Sequence, residues 1–144
     1  MKRTAFLFAT IAVAAGAYAY LQFDTAKTTD LAKASLPDGA LVVVALPATL
    51  NEQETMGKRG FDAVCAACHG TNAQGRDGVA PPLVHRIYEP GHHGDMAFVL
   101  AAKNGVAAHH WPFGNMPAVE GVTDSDVLNI VAYVRALQRE NGIN

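Results

Sequence analysis

Two cysteines and a histidine stand together in the sequence as Cys65-Ala66-Ala67-Cys68-His69, and the chain contains no other cysteine. The C-x-x-C-H pattern is typical of covalent haem attachment. Two thiols three positions apart lie on one side of a helical turn, where each can form a thioether bond with one haem vinyl group. The following histidine can then bind the iron. The motif therefore predicts one covalently attached haem.

Other chemistries of a cysteine pair fit this sequence less well. A redox-active C-x-x-C usually follows a strand in a βαβ unit, and no such pattern precedes Cys65. A structural zinc site needs four ligands, commonly two such pairs, and a second pair is absent. A disulfide framework generally uses more cysteines at wider spacing. Haem attachment is the chemistry that the pair favours.

A helix must position the motif, and the residues before it predict one. Asn51 can cap the helix, and Glu54 follows three residues later, which is the spacing of a capping box. One face of this helix is then formed by Gly57, Phe61, Val64, Cys65 and Cys68. Because glycine costs helix propensity, Gly57 indicates a close approach by another element.

The rest of the domain reads as loops and two further helices. Residues 70–93 are rich in glycine and proline without a period, which suits a loop that wraps a large apolar cofactor. A short helix is predicted from about Asp95 to Asn104, stopped by Gly105. After another loop, a last helix begins near Thr123. Its predicted buried stripe contains Val127, Ile130, Val131, Val134 and Leu137.

The N-terminus predicts export. Lys2 and Arg3 precede an uncharged stretch from Thr4 to Phe23, which has about the 20 residues that a membrane-spanning helix needs. This length favours an anchor, whereas Ala17-Tyr18-Ala19 fits the small-x-small pattern before a signal-peptide cleavage site. Both alternatives place the remaining chain on the periplasmic side.

Composition sets further limits. The formal net charge is −2, and the part of the chain after Lys2 and Arg3 is more negative still, so no nucleic-acid partner is expected. Residues 24–40 are polar and read as a linker. The apolar run from Leu41 to Leu46, ended by Pro47, predicts an extended segment laid against the domain.

From about Asn51 to Gly142 the chain resembles the class I, monohaem c-type cytochromes. A helix ending in C-x-x-C-H, a wrapping loop, a late Met-Pro and a C-terminal helix occur in the family's order. The resemblance implies an all-α cytochrome c fold, with about three main helices around one covalent haem c. We therefore expect residues 1–23 to be a signal peptide or membrane anchor, 24–50 a linker and extended segment, and 51–144 the cytochrome c domain.

The resemblance also implies the haem environment. His69 and Met116 would be the axial ligands of the iron, and Met116 lies in a Gly-Asn-Met-Pro run before the last helix. Pro81 would offer its carbonyl to the proximal histidine. Trp111 would donate its indole N–H to a haem propionate, or else simply pack beside the haem. The last helix would cross the first one, bringing Tyr133 and its neighbours to Gly57 and Phe61.

The sequence does not assign a role to the remaining histidines. His92-His93 and His109-His110 are adjacent pairs in loops, and His85 stands alone. Adjacent pairs have no specific metal-ligand spacing, so the plain interpretation is solvated loop residues. Two sharper interpretations are that His109 or His110 replaces Met116 on the iron, or that the pairs bind copper or nickel or tune the potential.

Together these features favour an electron-transfer protein over an enzyme. With both axial positions filled by protein, no position remains for a substrate. We expect a carrier of single electrons between transient redox protein partners, as in a respiratory chain. The alternative is a haem-based sensor or ligand-binding cytochrome with a labile sixth site. A peroxidase is poorly supported, because such enzymes in this family generally carry two haems and this chain has one attachment motif.

Overall fold

The computed structural model describes residues 39–144, together with Tyr18 and Leu36. Contacts divide the chain into two units, Met1–Ser35 and Leu36–Asn144, and all the helices and loops discussed for the fold belong to the second. The predicted export segment, residues 1–23, lies outside the described residues apart from Tyr18. Within the described part of the chain, no helix has both the length and the apolar character needed to cross a bilayer.

Four α-helices form the described domain: α1 (Glu52–Val64), α2 (Ala66–His69), α3 (Asp95–Asn104) and α4 (Asp124–Glu140). Two 3-10 turns, Thr71–Ala73 and Arg86–Tyr88, lie in the loop between α2 and α3. Residues 39–144 contain two isolated β-bridges but no strand. The prediction of an all-α fold with about three main helices is confirmed.

The core forms where α1 and α4 cross. The backbone of Gly57 lies directly against that of Asn129, and the rings of Phe61 and Tyr133 pack with their centroids 5.7 Å apart. The predicted stripe on α4 is buried throughout. The main hydrophobic cluster contains Phe61, Ala73, Val84, Ile130, Tyr133, Val134 and Leu137. The predicted crossing of the first and last helices is therefore present.

The two helices that cross in the core, α1 and α4, each begin with a capping box. The side chain of Asn51 accepts from the amide of Glu54, whose carboxylate accepts from the amide of Asn51. Thr123 and Asp126 repeat this arrangement at the start of α4. Reciprocal caps of this kind satisfy amide groups that a helix N-terminus would otherwise leave without partners. They fix the start of each helix and hence the register of the crossing.

The helix before the motif is not continuous. Helix α1 ends at Val64, Cys65 has φ −109° and ψ −37°, and α2 begins at Ala66. The amide of Cys65 still bonds to the carbonyl of Phe61, and the amide of His69 bonds to that of Cys65. Cys65 therefore marks the boundary between the helix that builds the core and the turn that carries Cys68 and His69.

Helix α4 holds the loop between α2 and α3 through two buried polar side chains. Gln138 donates to the carbonyls of Leu83 at 2.8 Å and Tyr88 at 3.0 Å. Arg135 donates to the carbonyls of Tyr88 and His93 and forms an ion pair with the carboxylate of Asp95 at 2.9 Å. Because buried backbone carbonyls need partners, these two side chains secure the path of a loop without regular structure.

The apolar segment near residue 41 also contacts the domain. The amides of Leu41 and Val42 both donate to the carbonyl of Gln74. The backbone of Ala45 exchanges two hydrogen bonds with the Asn141 side chain, each 2.9 Å long. This extended segment lies against the wrapping loop and the C-terminus. The boundary at residue 51 stays a prediction.

Candidate haem site

A cavity of about 710 Å³ opens between the motif turn, α3 and the loop before α4. Its volume is within the usual range for a cofactor site. Most of its lining is apolar, contributed by α3, by α4 and by the two long loops. All six predicted site residues line it, namely Cys65, Cys68, His69, Pro81, Trp111 and Met116. Folding thus brings together residues from three separate parts of the sequence.

His69 is held by one hydrogen bond to the backbone. Its Nδ1 lies 2.9 Å from the carbonyl oxygen of Pro81, and because a carbonyl only accepts, Nδ1 must carry the proton. Burial lowers the pKa of His69, while the bond to Pro81 opposes that shift. The neutral ring that results keeps Nε2 unprotonated and fit to bind a metal.

The two thiols of the motif have different environments. Cys65 is partly buried and Cys68 is exposed, and no disulfide joins them. Burial, and to a lesser extent the neighbouring Cys68, raises the pKa of Cys65 to about 11. A redox-active C-x-x-C depends on a thiol with a lowered pKa. The protonated Cys65 thiol therefore argues against thiol–disulfide exchange as the role of this pair.

Met116 is positioned by its backbone. Val106 and Met116 form an antiparallel bridge with hydrogen bonds of 2.9 and 3.0 Å. The side chain of Asn115 adds a second tie, accepting from the amide of Ala108 at 2.9 Å. Gly105 precedes the bridge with φ +72°, and a Cβ there would lie 2.6 Å from the Met116 carbonyl oxygen. The bridge thus fixes Met116 beside the C-terminus of α3.

Gly105→Ala is expected to lower the free energy of unfolding by about 2–4 kcal/mol, from backbone strain together with the clash at Met116. Denaturant titration measures it. The control is Gly114→Ala, in the same loop, where φ is +86° but no atom lies within 4 Å of the added Cβ. Strain alone should cost that variant about 1–2 kcal/mol. If both variants lose the same free energy of unfolding, the close contact between the added Cβ and the Met116 carbonyl oxygen does not contribute to the loss.

Trp111 leaves a buried donor without a partner. Its indole N–H makes no hydrogen bond in the structure, and its ring stacks on Phe113 with centroids 5.9 Å apart. The N–H interacts with the phenol of Tyr88 electrostatically but forms no hydrogen bond with it. Burial raises the pKa of Tyr88, and the nearby indole opposes that shift to a smaller extent. A buried indole normally finds an acceptor, so this cavity suits a ligand that carries one.

The histidines divide into different environments. His85 packs edge-on against Trp111, with ring centroids 5.1 Å apart. His109 and His110 both line the cavity, as does His93. His110 also lies close to His92 and His93, with centroid distances of 5.7 and 5.5 Å. The two histidine pairs, separate in the sequence, therefore meet at the rim of the cavity.

Several lining residues were not among the predicted site residues. Val106 pairs with Met116, while Tyr88 and Phe98 line the cavity as a tilted aromatic pair with centroids 6.2 Å apart. Val106 carries no signal of its own, because its role follows from a backbone bridge. Phe98 belongs to the apolar residues of α3, and its face towards the cavity required the packing of that helix on α4.

The residues present fit a covalently held haem. Two thiols, a neutral imidazole and a soft thioether share one largely apolar cavity, and a buried indole N–H is available for an acceptor. Cys65 and Cys68 would hold the vinyl groups, and His69 and Met116 would face the iron. Trp111 would donate to a propionate.

A protein-family model matches most of the described domain. The family model for cytochrome c matches residues 55–138, more than half of the chain. The match begins within α1 and ends near the C-terminus of α4, so it includes the attachment motif, both loops and Met116. A comparison with curated proteins gave no match.

Proposed function

Because the chain belongs to the cytochrome c family, we propose that it is a periplasmic electron carrier with one haem c whose axial ligands are His69 and Met116. The family itself implies a haem-based electron carrier rather than an enzyme, covalent haem and transient redox partners.

One observation carries the choice of ligands: His69 and Met116 line the same cavity and are each held by backbone hydrogen bonds. His69 is oriented by Pro81, and Met116 by its bridge to Val106. Metal ligands are commonly fixed by such outer hydrogen bonds, which set the ring orientation and the donor strength. His109 and His110 line the same cavity but occupy exposed positions in the loop before Met116.

When bound, haem supplies the one-electron chemistry of iron between its ferrous and ferric states. The protein residues set the conditions for it. Hydrogen bonding to Pro81 strengthens His69 as a donor, whereas the soft thioether of Met116 favours the ferrous state and raises the potential. The apolar lining would limit the access of water to the iron. With protein ligands at both axial positions, no open site would remain for a substrate.

The rim of the cavity offers a surface for redox partners. Val64, Val79 and Leu100 are apolar residues of the cavity lining, and whatever part of them a bound haem left uncovered would face a partner. Exposed apolar residues grouped around a site are typical of interaction surfaces. A small patch of this kind suits brief encounters, as electron-transfer complexes require.

Export rests on the sequence of residues 1–23, with its basic start and apolar stretch. We expect the haem protein outside the cytoplasm, either in the membrane fraction at full length or in the periplasm without its N-terminus. Cell fractionation followed by intact-mass measurement distinguishes these two forms. Recovery in the cytoplasm with haem attached would contradict export.

Absorption spectroscopy of the holoprotein, oxidised and reduced, tests the ligation. Thioether ligation predicts a weak far-red charge-transfer band in the ferric form and no change when carbon monoxide is added to the ferrous form. A ferrous spectrum that shifts promptly with carbon monoxide would mean a labile sixth site, and the sensor would then replace the carrier. Absence of the ferric band without a carbon monoxide shift would point to a histidine ligand, His109 or His110.

A further inference from the structure

Three histidines converge at the rim of the cavity. His92, His93 and His110 each place a ring nitrogen so that all three atoms lie within 4.8 Å of one another. They come from two loops, one before α3 and one before Met116. No pattern in the sequence brings them together, because His110 is paired in sequence with His109 rather than with the other two.

The loop that carries His92 and His93 is firmly held. Their two amides donate to the same carbonyl, that of Glu89, at 3.0 and 2.8 Å. Arg135 donates to the carbonyl of His93 from α4. The histidine pair therefore sits on a turn fixed by the core, as a binding site requires.

The ring of His93 is oriented in the way metal ligands usually are. Its Nδ1 lies 2.6 Å from the carbonyl oxygen of Ile87, to which it must donate. This leaves Nε2 as the acceptor atom. A histidine ligand almost always donates its other ring N–H to a carbonyl, carboxylate or water. His93 already has that partner, while His92 and His110 are exposed and can rotate.

We propose that His92, His93 and His110 form a site for a divalent transition-metal ion of the zinc–copper class, separate from the haem iron. Imidazole nitrogen suits these ions, and three such ligands leave a fourth position for water. Tetrahedral ligation at about 2.0–2.1 Å needs nitrogen atoms about 3.3 Å apart. The two exposed side chains can make that adjustment through their χ angles.

A metal ion at this site would tie two loops together across the rim. One of these loops carries Met116, six residues after His110, and the other is fixed to α4 through Arg135. His93 and His110 also line the cavity itself. A divalent cation there would favour the more electron-rich, ferrous state and raise the reduction potential. By linkage, reduction would then tighten metal binding.

A calorimetric titration of the holoprotein with Zn²⁺ tests the site. We expect one Zn²⁺ per chain. His92→Ala, His93→Ala and His110→Ala should each weaken binding by at least about 100-fold, more than the loss of an outer hydrogen bond costs a metal site. Because His92 and His110 are exposed, their variants should fold normally, which far-UV circular dichroism checks.

His109→Ala is the matched control. His109 is exposed and adjacent to His110, with ring centroids 4.2 Å apart, yet it is not one of the three converging residues. This variant should keep the wild-type Zn²⁺ affinity. No binding to the wild type, or equal loss in the His109 and His110 variants, would overturn the proposal. Binding retained by all three single variants would do so too.

A redox titration with and without Zn²⁺ provides an independent readout. Adding Zn²⁺ should raise the reduction potential of the wild type. In His110→Ala the reduction potential should be the same with and without Zn²⁺. Calorimetry measures binding whatever the sixth ligand of the iron is. Spectra that assign the sixth iron ligand to His110 would overturn the zinc site as well, because that imidazole could not also bind Zn²⁺, whereas an open sixth site or a His109 ligand leaves the zinc test intact. A failure of Zn²⁺ to bind leaves the carrier proposal intact.

Discussion

Gly57→Ala is expected to lower the free energy of unfolding by more than about 3 kcal/mol, at the upper end of overpacking costs. An added Cβ would lie 2.5 Å from the carbonyl carbon of Asn129 and closer still to its oxygen. Both are backbone atoms of α4, so no side-chain rotation can make room. The two helices would have to separate at the centre of the core, where Phe61 packs on Tyr133. Thermal and denaturant unfolding of the holoprotein measure the loss.

Gly60→Ala provides the matched control on the same helix. Both substitutions gain about 1 kcal/mol of helix propensity. At Gly60 the nearest atom to the new Cβ is Cγ1 of Ile130, 3.0 Å away, which belongs to a side chain that can shift. We expect this variant to stay within about 1 kcal/mol of the wild type. Similar losses at Gly57 and Gly60 would contradict a crossing fixed by backbone contact.

The helices followed from local patterns, because each carries its own signals. The structure confirms the predicted cap at Asn51, the predicted helix start near Thr123 and the predicted stop at Gly105. Periodicity identified the buried stripe of α4. Even the close approach at Gly57 had a local sign, since glycine within a helix is otherwise unfavourable.

Contacts between residues that are distant in the sequence could not be predicted from local patterns. Arg135 lies within α4 but is buried, with bonds to loop carbonyls more than forty positions away in sequence. Nothing in the helical period distinguishes it from Arg139, which is exposed and paired with Glu54. The break at Cys65 and the meeting of His110 with His92 depend likewise on the three-dimensional path of loops. Loops without a period carry little sequence information about their partners.

The residues of the candidate site were partly predictable from the sequence. The attachment motif is specific enough to predict Cys65, Cys68 and His69 from spacing alone. Met116 and Pro81 came from the resemblance to a family, and the structure places both on the same cavity. The orphaned N–H of Trp111 was not predictable, because a donor without a partner is a property of the surroundings and not of the residue.

Met116→Ala is expected to change the haem site more than any other single loop substitution. Under the proposed ligation, loss of the thioether would remove the ligand that favours the ferrous state, so the reduction potential should fall by on the order of 0.1 V or more. The far-red ferric band should disappear, and the ferrous form should bind carbon monoxide. The fold should persist, because Met116 is held through its backbone to Val106 and alanine keeps that bridge.

Met96→Ala is the control for loss of a methionine. Met96 lies on α3, is 56% exposed and does not line the cavity. Its variant should keep the band, the potential and the resistance to carbon monoxide. If Met116→Ala keeps the far-red band, another methionine supplies the thioether. If the wild type lacks the band and Met116→Ala keeps the potential and the resistance to carbon monoxide, Met116 is not a ligand, and His109 and His110 become the candidates because both line the cavity. Two double variants, Met116→Ala with His109→Ala and Met116→Ala with His110→Ala, would then identify which imidazole binds. Only one of the two should open the sixth site.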